Sequence, residues 1–405
     1  PMKHRSFHRI FDWASALTAQ SGIMWLRCLI LAFSITILIS RNTSAQEQLE
    51  IGLLGRSEIA SILISPTAGN YMALNGESDT IYRFRTDDAI SITANGSRLI
   101  AKSAYGLNDT LNKISLVGKG TNPSFKMRVN NKEKEYSYFD NLTVTGSSGK
   151  LRLVNSIDLE SYVSHVVQAE VGYGAEEEYY KIQSIICRTY AVRNKKRHMK
   201  DGFNLCDHEH CQVYSGRKTA TNEVVKSTAA TSGLVMVSRE NELILSAFHA
   251  NCGGQTANCE DVWKEPRSYL KSVKDTFCLS SRSAVWNETI EQGQLLARVG
   301  FNATNDDSTT ITFNQPERLK FFNLENDSIE LSRMRRRLRL RSTFFDLKTE
   351  DGQVTFNGRG YGHGVGLCQQ GAMKMAEYGY NHSQILGYYY QGVSVVQLNE
   401  LQLSK

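Results

Sequence analysis

The sequence has few features that would divide it into separate modules. It contains only five prolines in 405 residues, and neither a repeat nor a low-complexity tract. Since Pro-rich and repetitive stretches are the usual marks of linkers and repeat arrays, we expect one continuous architecture after the N-terminal segment. The composition, 41% hydrophobic and 22% charged, excludes a disordered chain.

Neither sign of charge dominates. The chain has 47 basic and 41 acidic residues and a formal net charge of +6, which does not require a nucleic-acid partner but mildly favours an anionic envelope polymer. The arginine-rich stretch 333–341 is interspersed with Met334 and Leu338, and this spacing is typical of a solvated helix face leading into a strand. We therefore expect no nucleic-acid partner.

Long hydrophobic runs are also lacking. The apolar run over residues 28–39 is about a dozen residues, whereas a membrane-spanning helix needs ~20. Basic residues up to Arg27 precede it, and the small residues Thr43 and Ala45 follow at the spacing that signal peptidase reads. We predict that residues 1–45 are a signal peptide cleaved near Ala45, which implies export to the periplasm or cell envelope. An uncleaved membrane anchor is the alternative.

The cysteine count limits disulfide pairing. Removing Cys28 with the signal peptide leaves seven of the eight cysteines, and an odd number in an oxidising compartment cannot all pair within one chain. At least one is therefore a free thiol, a metal ligand or an intermolecular link. Cys252 and Cys259 are one candidate disulfide pair, with Cys278 as a competitor for either.

One stretch combines residue types that suit zinc. His198, Cys206, His210 and Cys211 supply imidazole and thiolate ligands, and four protein groups would leave no open position for water, so any ion there would be structural. A small disulfide loop between Cys206 and Cys211 is the alternative. The sequence contains no His-Glu-x-x-His element, which argues against a zinc hydrolase.

Glycines recur at every second position from 358 to 366, a pattern that differs from the Gly-x-Gly-x-x-Gly phosphate fingerprint and makes a dinucleotide site unlikely. On a strand, this spacing would bare one face of the backbone for an extended ligand, with Tyr361 and His363 in the other phase. Close strand packing explains the glycines equally well.

The periodicity of the apolar residues changes along the chain. Up to about residue 153, short apolar stretches separated by Gly, Asn and Asp predict strands and turns. Leu159, Tyr162, Val163, Val166 and Val167 then form the stripe of an amphipathic helix ending at Gly172, and a second helix is predicted from about Glu176 to residue 195. We predict an α+β fold, a mainly β framework with a pair of packed helices flanking an active-site groove. It would comprise an N-terminal β-rich part, 46–153, continuous with a catalytic core, 154–405.

Glu170 is the first candidate for chemistry, because it lies in phase with the apolar stripe of the first helix. Burial disfavours an ionised carboxyl group and raises its pKa, which makes a glutamate a proton donor near neutral pH. The alternative is a buried structural glutamate that pairs with Arg188 or caps a turn.

Several segments resemble, in order, the SpoIID/LytB family (stage II sporulation protein D-like), and the resemblance extends from about residue 49 to residue 393. The matching segments are 155–163 (NSIDLESYV), 166–170 (VVQAE), 178–191 (EYYKIQSIICRTYA), 211–216 (CQVYSG), 249–256 (HANCGGQT), 261–263 (DVW), 269–270 (YL) and the most specific, 358–372 (GRGYGHGVGLCQQGA).

The resemblance implies a peptidoglycan lytic transglycosylase that cleaves the MurNAc-GlcNAc bond of denuded glycan strands and leaves 1,6-anhydro-MurNAc ends. Glu170 would be its catalytic acid, and no cofactor would be required for the chemistry. The resemblance also implies a structural zinc ion bound by the same four residues, His198, Cys206, His210 and Cys211. The substrate-binding residues that it implies are Gln183, Arg188, Gln212, Tyr214, Gly253, Gly254, Thr256, His363 and Gln369.

This chain departs from the family pattern at three places. Val171-Gly172 replaces the usual Met-Pro after the glutamate, Cys368 stands where serine is common, and Gln370 stands where tryptophan is frequent. LytB-type relatives are described as enhancers of an amidase, so the alternative function is a noncatalytic peptidoglycan-binding protein with a cell-wall amidase as partner.

Overall fold

A computed structural model describes residues 47–76, 78–216, 219–301 and 310–401. The predicted signal peptide lies outside these residues. From Gln48 onward the contacts join the chain into one compact unit. No helix within the described ranges is long and apolar enough to cross a membrane.

The largest sheet forms from the N-terminal part of the chain, where buried and exposed residues alternate along the strands, as in β4. Its strand order is β11-β1-β10-β9-β7-β2-β4-β5-β6, with β3 paired to β2 and β8 to β7. The strands are β1 (Gln48–Leu53), β2 (Ser61–Asn75), β3 (Asp79–Arg83), β4 (Ile90–Asn95), β5 (Arg98–Ser103), β6 (Asn108–Leu111), β7 (Lys113–Val129), β8 (Glu135–Phe139), β9 (Asn141–Ser147), β10 (Lys150–Asp158) and β11 (Leu205–Cys206).

Smaller sheets form in the C-terminal part. One has the order β14-β19-β18-β15, and three two-stranded sheets pair β12 with β21, β13 with β20 and β16 with β17. These strands are β12 (Leu234–Val237), β13 (Phe248–His249), β14 (Val285–Glu291), β15 (Thr312–Phe313), β16 (Phe321–Leu324), β17 (Asp327–Glu330), β18 (Phe344–Glu350), β19 (Gln353–Arg359), β20 (Leu367–Cys368) and β21 (Ser394–Gln397).

The described helices are short, and 3-10 turns at Met199–Asp201 and Leu398–Glu400 accompany them. The α-helices are α1 (Leu159–Val171), α2 (Glu177–Arg193), α3 (Asn222–Ala230), α4 (Cys259–Trp263), α5 (Gln292–Val299), α6 (Leu331–Leu338), α7 (Gln369–Glu377) and α8 (His382–Tyr389). With the strands they form a mainly β framework with helices, which confirms the predicted α+β class.

The two helices predicted around residues 159–195 are present and pack together. The Asp158 side chain caps α1 by accepting a hydrogen bond from the amide of Ser161, and α1 ends at Gly172 with φ +84°. All five residues of the predicted apolar stripe are buried. Helix α2 contributes side chains to two hydrophobic clusters, Tyr180 and Cys187 to one and Tyr179 and Ile182 to the other. It therefore joins these two clusters.

Other local predictions had mixed outcomes. The arginine-rich stretch forms α6, whose buried residues include Met334 and Leu338, and leads into β18, as predicted. The boundary predicted between residues 153 and 154 falls inside β10, and the two-part division stays a prediction.

Candidate functional site

Glu170 lies in the last turn of α1 and is half-buried. Burial raises the pKa of its carboxyl group, the backbone amide of Val213 lowers it by donating a hydrogen bond, and the negative charge of Glu209 raises it again. The net pKa is raised, as predicted from the helix periodicity. A carboxyl group in this environment retains its proton to higher pH than an exposed glutamate does.

The alternative pairing of Glu170 with Arg188 is not formed. The fully buried Arg188 guanidinium binds Glu160 instead, with Nε 2.8 Å from Oε1 and Nη2 2.5 Å from Oε2. Its Nη1 also donates to the carbonyl of Leu234 at 3.0 Å. Arg188 therefore joins α1, α2 and β12, and it has no exposed surface to offer a substrate.

The loop that reaches Glu170 is anchored at several points. Cys206 at its start lies in β11, which pairs with β1. The Asp207 carboxylate accepts a hydrogen bond from the amide of Leu54 at 2.7 Å. A cavity of about 270 Å³ opens beside the loop; Val213 and Glu209 are part of its lining, whereas Glu170 is not. The loop thus positions the Val213 amide against Glu170 from the edge of the largest sheet.

The same loop carries three of the four predicted metal ligands, and the fourth, His198, precedes it in the chain. One ligand atom each from His198, Cys206, His210 and Cys211, the histidine–cysteine cluster, lies within 4.8 Å of all the others. His198 Nε2 is 3.3 Å from His210 Nδ1, which is 3.6 Å from Cys206 Sγ and 3.8 Å from Cys211 Sγ. Both cysteines are free thiols, so the disulfide loop between them is not formed.

These separations fit zinc. Bonds of ~2.0–2.1 Å to nitrogen and ~2.3 Å to sulfur place the corners of a tetrahedral zinc site about 3.3–3.8 Å apart. His198 Nδ1 lies 2.9 Å from a carboxylate oxygen of Asp201, an outer contact that orients a ligating imidazole.

Among the predicted substrate residues, Gln183, Gln369 and Gln212 have polar groups near the two central helices. Gln183 donates to the Tyr179 hydroxyl at 2.9 Å, and the Gln369 side chain is a second hydrogen-bonding partner of that hydroxyl. The Oε1 of Gln183 is buried without a hydrogen-bond partner, and the Gln212 side chain hydrogen-bonds to the Cys187 thiol. Gln369 is half-buried at the start of α7.

Other predicted substrate residues support the backbone. The buried Tyr214 hydroxyl donates to Asn155 Oδ1 at 2.8 Å, and the buried Thr256 hydroxyl accepts from the amide of Val273 at 2.8 Å. The amides of Gly253 and Gly254 reach the sulfur of Cys278. In these contacts the two hydroxyls and the two amides bind other groups of the protein itself.

The glycine segment, residues 358–366, is not an extended strand. Strand β19 ends at Arg359, and Gly360, Gly362, Gly364 and Gly366 all have positive φ, which β-structure excludes. The space beside them is filled: a Cβ at Gly366 would lie 2.1 Å from a backbone oxygen. Close packing therefore explains these glycines, and the interpretation of a bared strand face is wrong.

His363 projects from this segment against two aromatic rings. Its ring centroid lies 4.7 Å from that of Trp263, which is 39% exposed, and 5.6 Å from that of His249. Burial, with the positive charge of Arg335, lowers the pKa of His363 to about 4, so its imidazole is neutral at pH 7. A neutral imidazole beside an exposed indole suits contact with an uncharged polar ligand.

The comparisons with known proteins agree with the sequence motifs. A family model described as "SpoIID: Stage II sporulation protein" matches residues 147–237, the segment that contains Glu170 and the histidine–cysteine cluster. An uncharacterized protein of Brachyspira hyodysenteriae is 27% identical over 342 residues, 82% of this chain and 89% of that protein. Stage II sporulation protein D of Bacillus amyloliquefaciens is 29% identical over 269 residues, 62% of this chain and 78% of that protein.

These similarities support the resemblance to the SpoIID/LytB family that the sequence motifs indicate. Another similar protein carries the name amidase enhancer, from Bacillus subtilis, and is 26% identical over 271 residues, 53% of this chain and 37% of the enhancer.

Two features of the chain were not found by the sequence analysis: the partner of Arg188, and the grouping of Cys252 and Cys278 with Cys368. Glu160 is the partner of Arg188. Nothing in the sequence singled it out, because an acidic residue is common in the first turn of a helix. Cys252 lies 3.4 Å, sulfur to sulfur, from Cys278, and the suggested pair with Cys259 is not formed, because all of these cysteines are free thiols. The signal for the second feature was the departure from the family pattern at Cys368, which lies in the same cluster.

Proposed function

We propose that this protein is a peptidoglycan lytic transglycosylase of the cell envelope with Glu170 as its catalytic acid. The observation that carries the proposal is the half-buried carboxyl group of Glu170, whose raised pKa suits a proton donor. The resemblance to the SpoIID family and the relative named amidase enhancer support a cell-wall context for the proposal. The C-terminal end of a helix is electronegative and also disfavours an ionised carboxyl group.

In this mechanism, protonated Glu170 gives its proton to the oxygen that links MurNAc to GlcNAc, and the bond from that oxygen to the muramic C1 breaks. Glu170, now a carboxylate, takes the proton of the muramic C6 hydroxyl as its oxygen bonds to C1. An attack within one sugar gains from proximity and needs no second carboxylate to activate water. The Val213 amide, which donates to the Glu170 carboxyl, would hold the group in place between its two roles.

The binding set that we propose is narrower than the one implied by resemblance. His363 and Gln369 remain as candidate sugar contacts because both are half-buried. Gln183 and Gln212 are buried, as Arg188 is, so we propose them as supports of the site. The other members, Arg188, Tyr214, Gly253, Gly254 and Thr256, are proposed as supports of the site.

We also propose that the histidine–cysteine cluster holds a structural zinc ion. Four protein ligands leave no position for a reacting water, so the ion would organise the 206–216 loop. Through that loop it would fix the Val213 amide against Glu170.

The test is mass spectrometry of denuded glycan strands incubated with the full chain or with its Glu170→Gln variant. The expected result is anhydro-muramic products from the unaltered chain and none from the variant. Glu223→Gln, which changes an exposed glutamate at the start of α3, is the matched control and should leave the products unchanged. Reducing ends in place of anhydro ends would indicate a hydrolase and refute the mechanism.

The second candidate function is a noncatalytic peptidoglycan-binding protein that enhances a cell-wall amidase. The similarity to an amidase enhancer and the replacement of Met-Pro by Val171-Gly172 favour it. Under this alternative, glycan strands would be bound but not cleaved. Addition of the chain, with or without Glu170→Gln, would raise the rate of an amidase on intact peptidoglycan.

A further inference from the structure

A second group of metal-ligand side chains lies apart from the histidine–cysteine cluster. Cys252, Asp275, Cys278 and Cys368, the buried cysteine cluster, are all buried, and one ligand atom of each lies within 4.8 Å of the others. Cys252 Sγ is 3.3 Å from Asp275 Oδ2 and 3.4 Å from Cys278 Sγ. These four residues come from three segments that are distant in the sequence.

A disulfide does not account for this arrangement. Two sulfurs in a disulfide are ~2.05 Å apart, whereas Cys252 and Cys278 are separated by 3.4 Å. Any single bridge among three cysteines would also leave the third thiol and the Asp275 carboxyl group together in an apolar core. Burying a carboxylate without a compensating charge is costly, and a cation among the four groups removes that cost.

The spacing and chemistry fit a tetrahedral zinc ion. Bonds of ~2.3 Å to sulfur and ~2.0–2.2 Å to a carboxylate oxygen place ligand atoms about 3.4–3.8 Å apart. The two separations above, 3.3 and 3.4 Å, lie just below this range or at its lower limit, so a bound ion would require movements of only a few tenths of an ångström. Three thiolates and one carboxylate close the site, as in structural zinc sites.

The surroundings provide the outer contacts of a thiolate-rich metal site. The amides of Cys252 and Gly371 point at Cys368 Sγ, at 3.2 and 3.4 Å. The Tyr389 hydroxyl donates to Asp275 Oδ2 at 2.8 Å. The Arg318 guanidinium donates to the carbonyl of Cys252 at 2.8 Å and brings a positive charge beside the cluster. Such donors stabilise thiolates and orient ligating carboxylates.

From this geometry we propose that Cys252, Asp275, Cys278 and Cys368 bind a second structural zinc ion. The ion ties the Gly253-Gly254 turn and the 275–278 turn to the start of α7. Helix α7 begins at Gln369, directly after Cys368, so the ion also fixes the position of one proposed sugar contact. The proposal does not depend on transglycosylase activity.

The experiment is zinc analysis by inductively coupled plasma mass spectrometry of the full chain and three single-site variants. We expect two zinc ions per chain for the unaltered protein and one for Cys278→Ser. Cys206→Ser should also retain one, because it removes only the ion of the histidine–cysteine cluster. Cys259→Ser is the matched control, since Cys259 is a buried cysteine outside both clusters, and it should retain two.

X-ray absorption at the zinc edge of the Cys206→Ser protein keeps the test decisive even where Cys278→Ser does not fold. The expected first shell has three sulfurs and one oxygen, without the multiple scattering of imidazole. Imidazole scattering in that spectrum, iron in place of zinc, or a Cys252–Cys278 cross-linked peptide in a non-reduced digest would overturn the proposal. Retention of both ions by folded Cys278→Ser would overturn it as well.

Discussion

The buried ion pair between Arg188 and Glu160 allows a direct test of whether Arg188 is a structural residue. Arg188 is completely buried, and the Glu160 side chain is 28% exposed. Removing one partner of a buried pair typically costs ~3–5 kcal/mol of unfolding free energy, because the other charge is left uncompensated. Since solvent reaches Glu160, we expect Glu160→Gln to cost about 3 kcal/mol, near the lower end of that range.

The assay is urea denaturation followed by circular dichroism and by fluorescence, whose transitions should coincide if unfolding is cooperative. Arg188→Met should also destabilise the protein, since it leaves Glu160 without its partner. The double variant should lose less than the sum of the two single variants, because neither charge is then left alone.

Two results would refute this reasoning. A loss below about 1 kcal/mol in Glu160→Gln is the value of an exposed pair and would mean that the interaction is not a support of the helices. Strict additivity in the double variant would mean that the two side chains are not coupled.

Three further outcomes are expected. Glu209→Gln should move the alkaline limb of the pH profile of kcat/KM to lower pH, because loss of this negative charge lowers the pKa of Glu170 and activity requires protonated Glu170. An alkaline limb that stays in place or moves to higher pH would contradict this. Zinc chelation should increase proteolysis within the 206–216 loop and reduce glycan cleavage, and folded Cys206→Ser should reproduce both effects. Equal rates of proteolysis with and without chelator would argue against an organising ion. Gly371→Ala should lower the free energy of unfolding in urea by about 1–3 kcal/mol, because the new Cβ would lie 2.2 Å from a carboxylate oxygen. Gly387→Ala, in open space on α8, should be neutral or stabilising. Equal effects of the two changes would contradict the steric argument.

Local features of the fold were predictable where the periodicity was strong. The stripe from Leu159 to Val167 fixed α1, because five apolar residues at helical spacing have one plausible burial pattern. The glycine segment was misread, since alternation of glycine with other residues resembles a strand, whereas positive φ at Gly360 and its successors depends on packing partners far along the chain.

The candidate site was predictable to a similar extent. The four members of the histidine–cysteine cluster lie within 14 residues of one another in the sequence (residues 198–211), so their common ligand chemistry was visible there. The buried cysteine cluster was not visible, because Cys252 and Cys368 are 116 positions apart and meet only through the tertiary fold. Arg188 shows the limit of resemblance: a motif residue can be shared because it supports a site without touching the substrate.

The glycine segment has a consequence for how mutational tolerance in this protein should be interpreted. A Cβ at Gly358 would lie 1.9 Å from the indole of Trp286, and one at Gly360 would lie 2.6 Å from the carbonyl oxygen of Asn251. Substitutions at these positions would destabilise the fold whether or not the protein still had a substrate to act on. In a saturation-mutagenesis map, the most intolerant stretch would therefore report backbone geometry, and the reacting group would stand out only where a conservative replacement preserves folding and abolishes turnover.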